Sequence, residues 1–171
     1  MIITQSNRIF LRTFHSEDLA PMAILFSDPE VMKFGSGPQD QEWVKKWLRG
    51  CLEDYYVKWG FGLWAVIDKN DKKVMGFCGL TKFNDVAGRP EIEVGYRLQK
   101  ENWGKGYATE AAQITQDFAF DVLGIQRLIS IIDPRNVASV RVAEKCGLTY
   151  EKTTVVRGPE VDIYAIMRAS G

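Results

Sequence analysis

The chain has a single histidine, His15, and only three cysteines, Cys51, Cys78 and Cys146, scattered over 171 residues. No CxxC pair and no Cys/His ligand spacing occurs, so the expectation is a protein without a metal site. An odd number of distant thiols suits a reducing compartment better than a disulfide framework. Charge of one sign is not in excess either. The 22 Lys and Arg balance 22 Asp and Glu, which argues against the basic surplus of a nucleic-acid binder. No apolar run approaches the roughly 20 residues of a membrane span. The apolar part of Met1–Gln5 is too short for a signal peptide. Repeats, low-complexity tracts and linkers are missing. These absences lead to one domain over residues 1–171, cytoplasmic, with neither membrane nor nucleic acid as partner.

What is present is ordinary globular composition, 46% hydrophobic and 26% charged, in a chain long enough to bury a core. Alternation over Arg8–His15 predicts a first strand. Ser16 reads as the N-cap of a short helix over Leu19–Phe26, closed by Asp28-Pro29. Asp40 caps a second helix whose apolar stripe runs from Trp43 to Trp59. Strands follow at Leu63–Asp68, Val74–Phe83 and Glu91–Leu98. A helix from Tyr107 to about Leu123 ends at Gly124. Arg127–Ile132 is a buried strand, and Asn136 caps a helix through Lys145. Thr149–Val156 and Val161–Met167 are the last strands. Hairpins early and crossover helices late predict an α/β (α+β) fold: one mixed sheet, mostly antiparallel, of about seven strands with helices on both faces.

The most informative stretch is Trp103-Gly104-Lys105-Gly106-Tyr107-Ala108-Thr109-Glu110. Glycine removes the Cβ that would bar a ligand from peptide N–H groups, and a helix start adds unpaired donors and a positive dipole end. The pattern predicts a phosphate cradle. A P-loop needs GxxxxGK[ST], but Lys105 is followed by Gly106. A dinucleotide fold wants a third glycine where Thr109 stands, and an acidic residue nearer than Asp133.

Three segments together carry a resemblance. They are Glu93-Val94-Gly95-Tyr96-Arg97-Leu98, the Trp103–Glu110 loop, and Asn136-Val137-Ala138-Ser139-Val140-Arg141-Val142-Ala143-Glu144-Lys145-Cys146-Gly147-Leu148. With the opening Arg8–Arg12 strand and the Glu17-Asp18-Leu19 helix start, they make the whole chain resemble the GNAT superfamily of acetyl-CoA-dependent N-acetyltransferases. The RimJ/RimL-like branch is the nearest match. The resemblance implies transfer of an acetyl group from acetyl-CoA to a primary amine, on a protein N-terminus or a small molecule, by direct attack in a ternary complex. The other class of reading is a non-catalytic acyl-CoA-binding or regulatory module. Relatives are often dimers, which leaves a homodimer open.

The resemblance also implies residue roles. The fourth and fifth predicted strands splay apart, and the backbone of Tyr96, Arg97 and Leu98 pairs with the pantetheine arm. Backbone N–H groups of Trp103, Gly104, Lys105, Gly106, Tyr107, Ala108 and Thr109 wrap the pyrophosphate. The family's usual Arg or Gln at the first loop position is Trp103 here. Asn136 is an N-cap in its own right and also contacts pantetheine. Many members carry a tyrosine at the position of Ala143 that protonates the departing thiolate. It is missing here, and the RimJ/RimL-like branch carries a serine at the position of Ser139, one turn earlier on the same face, so the resemblance assigns stabilisation of the thiolate to Ser139. An ammonium must lose its proton before attack, which calls for a base. Glu93 is the first candidate and Glu91 the second. The alternative is that both carboxylates bind a cationic substrate, or pair with Arg97 or Arg89. The aromatics from Trp43 to Trp64 are expected to be mostly core, with one or two lining the acceptor pocket.

Overall fold

The computed structural model describes residues 1–170. The strands are β1 (Ile2–Gln5), β2 (Ile9–Arg12), β3 (Leu63–Asp68), β4 (Val74–Val86), β5 (Arg89–Leu98), β6 (Arg127–Ile132), β7 (Thr149–Val155) and β8 (Glu160–Met167). The helices are α1 (Leu19–Ser27), α2 (Gln41–Gly50), α3 (Tyr56–Trp59), α4 (Tyr107–Asp121) and α5 (Val137–Lys145). They form one 8-stranded sheet in the order β1-β2-β3-β4-β5-β6-β8-β7. Every neighbouring pair is antiparallel except β5–β6.

The sheet has one strand more than the sequence predicts. Ile2–Gln5 is too short to show a period by itself and becomes a strand by pairing with β2. The expected cap Ser16 instead opens a 3-10 turn, Ser16–Asp18, because the buried Asp18 carboxylate is held by Arg12 at 2.7 Å and by the His15 N–H at 2.8 Å. The second helix is not continuous. A π-helical segment, Cys51–Tyr55, separates α2 from α3 and re-aims the apolar stripe. Asp40 caps α2 as expected, accepting from the Trp43 N–H at 2.8 Å.

Alternation in the strands sorts the core into two layers. On one side Trp64, Val66, Cys78, Leu80, Val94 and Leu98 meet α4 through Ala111, Ala112, Ala119 and Phe120. On the other, Ala65, Ile67 and Phe77 meet α1 and α2 through Met22, Leu25, Phe26, Val44 and Leu48. Odd and even residues of β3 thus serve opposite faces. Among the described residues no helix is long and apolar enough to cross a membrane.

The parallel pair sits mid-sheet and is barely a pair. Only Glu93 and Ile129 are in register. Beyond them side chains replace the ladder. The Ser130 hydroxyl donates to the Val94 carbonyl at 3.0 Å, and the Ile131 N–H donates to Glu93 Oε1 at 3.2 Å. The expected splaying is therefore present, between β5 and β6 in the full strand count.

Candidate active site

An open cleft fills the gap between these strands. Glu93, Val94, Gly95 and Tyr96 line it from β5, Ser130, Ile131 and Ile132 from β6, and Ser139, Val142 and Ala143 from α5. A parted sheet leaves backbone donors and acceptors that need a partner.

Glu93 is half-buried at the floor of this cleft. Burial pushes its carboxyl up to about 7, against the opposing pull of the Ile131 N–H and the nearby Arg157 and Arg97 guanidiniums. Gly95 lies beside it: a Cβ there would stand at ordinary contact distance, 3.6 Å, from Glu93 Oε2. The carboxyl is thus half ionised near neutral pH, which suits proton transfer. Glu93 also lines a second pocket, with Phe34, Phe83, Asp133 and Arg157. It is common to both cavities.

Glu91, the second candidate base, is placed otherwise. Its side chain is buried and held by Arg127, with Nε at 3.1 Å and Nη2 at 3.0 Å, and by Arg89 at 3.0 Å. Arg127 in turn bonds Glu151 at 2.8 Å. A carboxylate committed to two guanidiniums is a structural ion pair and lines neither cavity. Arg127→Ala should strand this charge and lower stability by about 3 kcal/mol, the lower end for a broken buried pair because Arg89 remains. A urea midpoint reads it directly.

Ser139 lies one turn into α5. Its N–H donates to Asn136 Oδ1 at 3.2 Å, so Asn136 is the N-cap the sequence predicts. The Tyr96 hydroxyl donates to Ser139 Oγ at 3.2 Å. Burial pushes that phenol up to about 12, so it remains a donor. This leaves the serine its own proton to give. The sequence places Tyr96 in the cleft through its backbone, and the side-chain bond to Ser139 is an addition.

The glycine loop is exposed and leads into α4, whose Ala112 lines the cleft. Gly104 and Gly106 have φ of 70° and 80°, where a side chain is strained. Gly106 is the N-cap of α4 and offers no side-chain cap. The first backbone bond of the helix is Glu110 N–H to Gly106 O at 3.0 Å, so the N–H groups ahead of it have no helical acceptor. Arg8 braces the loop from behind: Nη1 donates to the Lys105 carbonyl at 3.0 Å, Nε to Glu110 at 2.7 Å, and the guanidinium lies 4.4 Å from the Tyr107 ring centroid. No local pattern signals this brace, because Arg8 and Glu110 are 102 residues apart.

Some expected site residues turn their side chains elsewhere. Lys105 Nζ donates to the Glu101 carbonyl at 2.8 Å. The Trp103 indole donates to the Leu98 carbonyl at 2.8 Å, and the Leu98 side chain is core. The Tyr107 hydroxyl donates to Asp68 at 3.1 Å. Arg97 points to the Val31 carbonyl at 3.2 Å. The aromatics from Trp43 to Trp64 do not line the second pocket, whose rings are Phe34 and Phe83. Trp43 and Trp47 are tied to Phe26 instead, with centroids at 5.1 and 4.8 Å. Burial pushes the Cys78 thiol up to about 12 and Cys146 up to about 11, so neither is a ready thiolate.

Comparison with known proteins agrees with this geometry. The acetyltransferase (GNAT) domain model matches residues 8–149. The uncharacterized protein YkkB of Bacillus subtilis is 35% identical over 149 residues, covering 86% of each chain. Spermidine N(1)-acetyltransferase of Escherichia coli K12 is 25% identical over 154 residues, covering 85% of this chain and 75% of that one. The crystal structure of a GNAT-family acetyltransferase from Bacillus anthracis superposes with a TM-score of 0.82 at 24% identity, over 98% of this chain and 99% of that one. A sheet opened between its two parallel strands, a glycine-capped helix at the opening and a family match across both place this chain in the GNAT family of N-acetyltransferases.

Proposed function

We propose that this protein transfers the acetyl group of acetyl-CoA to a primary amine by direct attack in a ternary complex, as a member of the RimJ/RimL-like branch. The GNAT family uses acetyl-CoA, and the site fits that molecule. The free amides of Gly104–Thr109 suit a pyrophosphate, and the β6-facing edge of β5 from Gly95 onward, paired with β4 on its other side only, suits the amides of pantetheine. Bound there, acetyl-CoA supplies an acetyl group activated as a thioester.

The observation that carries the reading is Glu93, which faces both the cleft and the second pocket. Its carboxylate takes the proton of the incoming ammonium and so frees the nitrogen lone pair. The Tyr96 N–H and its neighbours line the cleft where a carbonyl oxygen would gain charge. Ser139, accepting from Tyr96, gives its proton toward the departing sulfur. A covalent acyl-cysteine is not needed, since both nearby thiols are held protonated by burial. The branch reading rests on Ser139 standing in for the tyrosine that Ala143 replaces. Three free, buried cysteines suit the cytoplasm.

Thiol release from acetyl-CoA is the test, with a panel of small amines and peptide N-termini. Turnover is expected with at least one class, and Ser139→Ala should lower kcat by about tenfold to a hundredfold. Tight CoA binding with no turnover on any amine would instead identify a non-catalytic acyl-CoA-binding module.

A further inference from the structure

The second pocket has an unusual charge balance for a site that must receive an ammonium. Its carboxylates are Glu93 and Asp133. Asp133 is already spent on Arg135, with Oδ2 at 2.7 Å from Nη2 and Oδ1 at 3.0 Å from Nε. That ion pair holds its carboxyl down at about 2. What remains beside Glu93 is one lining cation. Arg157 lines the pocket and makes no ion pair among the described residues. Its guanidinium is laid on the Phe83 ring at 4.8 Å from the centroid, which fixes the fork without using up its donors. Arg97, on the same face of β5 as Glu93, lies outside this lining and donates through Nη1 to the Val31 carbonyl and the Met32 sulfur. With Asp133 paired to Arg135, the lining leaves one carboxylate, Glu93, and one guanidinium without a carboxylate partner among the described residues, Arg157.

A polyamine would bring a further cation up to the unpaired Arg157 guanidinium and leave it without a partner. An amine that brings its own anion would not. We infer that the acceptor carries a carboxylate close to its reacting amine, with Arg157 binding the carboxylate while Glu93 takes the ammonium proton. The chemical class is an amino acid or an amino-acid-like amine. An acidic residue at a peptide N-terminus presents the same chemistry. This inference rests on the acetyltransferase reading above and narrows its substrate. A guanidinium fork matches a carboxylate in two parallel bonds, which a carboxamide cannot repay. Phe34 and Phe83 supply apolar walls for the carbon skeleton between the two charged ends.

The experiment compares kcat/KM for three matched sets by thiol release. One set is free amino acids beside their carboxamides, the second is short peptides beginning with Asp or Glu beside those beginning with Asn or Gln, and the third is spermidine and spermine. In the native enzyme the carboxylate member of either the first or the second pair is expected to be favoured by about tenfold or more, and whichever pair shows it identifies the source. Arg157→Met should collapse that ratio toward one, and Arg157→Lys should restore part of it. Arg157 is exposed on the loop between β7 and β8, so the folded core does not depend on it. Preference for polyamines, or a carboxylate ratio that Arg157→Met leaves unchanged, overturns the inference while the enzyme reading stands. Absence of turnover with every amine, CoA binding being intact, overturns both.

Discussion

Replacing Glu93 by Gln is expected to lower kcat/KM by about a hundredfold to ten-thousandfold, the range for loss of a positioned proton acceptor. The amide fills the same space and can still accept from the Ile131 N–H, so the local geometry survives. What disappears is the capacity to take a proton. In the native enzyme the carboxyl titrates at about 7, so the rate should rise with pH through that value and level off above it. The variant should lose that limb. Stability should move the opposite way. The folded carboxyl is raised above its ordinary 4.5, so the native state keeps a proton that the unfolded chain has given up. Stability is therefore lost as pH climbs from about 4.5 to about 7, and the full cost is present above that. Glu93→Gln removes it, and should stabilise the protein at pH 8 by up to about 3 kcal/mol. A variant that is both less active and harder to unfold above neutral pH is the signature of a strained functional carboxylate. Loss of activity together with loss of stability would show Glu93 to be structural.

The same contrast separates what local sequence could reveal from what it could not. Arg127–Ile132, Asn136 and Gly106 were legible because each signal is complete within a few residues: a β-branched run, a capping side chain, a glycine ahead of a helix. The splay between β5 and β6 came with the family resemblance, and the single register pair bears it out. Ile2–Gln5 was illegible because its structure depends on β2. Glu91 and Glu93 look alike in sequence, two positions apart on one strand. Arg127, 36 residues on, takes one of them as a counter-ion and leaves the other to burial. The second pocket assembles Phe34, Phe83, Asp133 and Arg157 from four separate loops and strand ends. No periodicity spans such distances, and the aromatic-rich α2 region drew attention to rings that serve the core.

The loop at residues 104–106 should show the second large effect. Gly104 and Gly106 hold positive φ, and an alanine at either carries a strain of about 1 kcal/mol and sets a methyl beside the free amides. Gly104 has nothing within 4 Å of a built Cβ, so the substitution meets no protein atom and the fold can accept it. Gly88 makes the matching control. It has φ 90°, has equally open surroundings, and lies in the turn between β4 and β5, away from the helix. Both alanine variants should lower the melting temperature by a similar few degrees, since the strain is alike. Only Gly104→Ala should weaken CoA binding, by about tenfold or more, read by calorimetry. Affinity would then follow the position of the methyl and not the loss of stability, as a backbone cradle requires. Equal CoA affinity in the Gly88 and loop variants would make Trp103–Ala108 an ordinary turn, and the diphosphate would have to be held elsewhere.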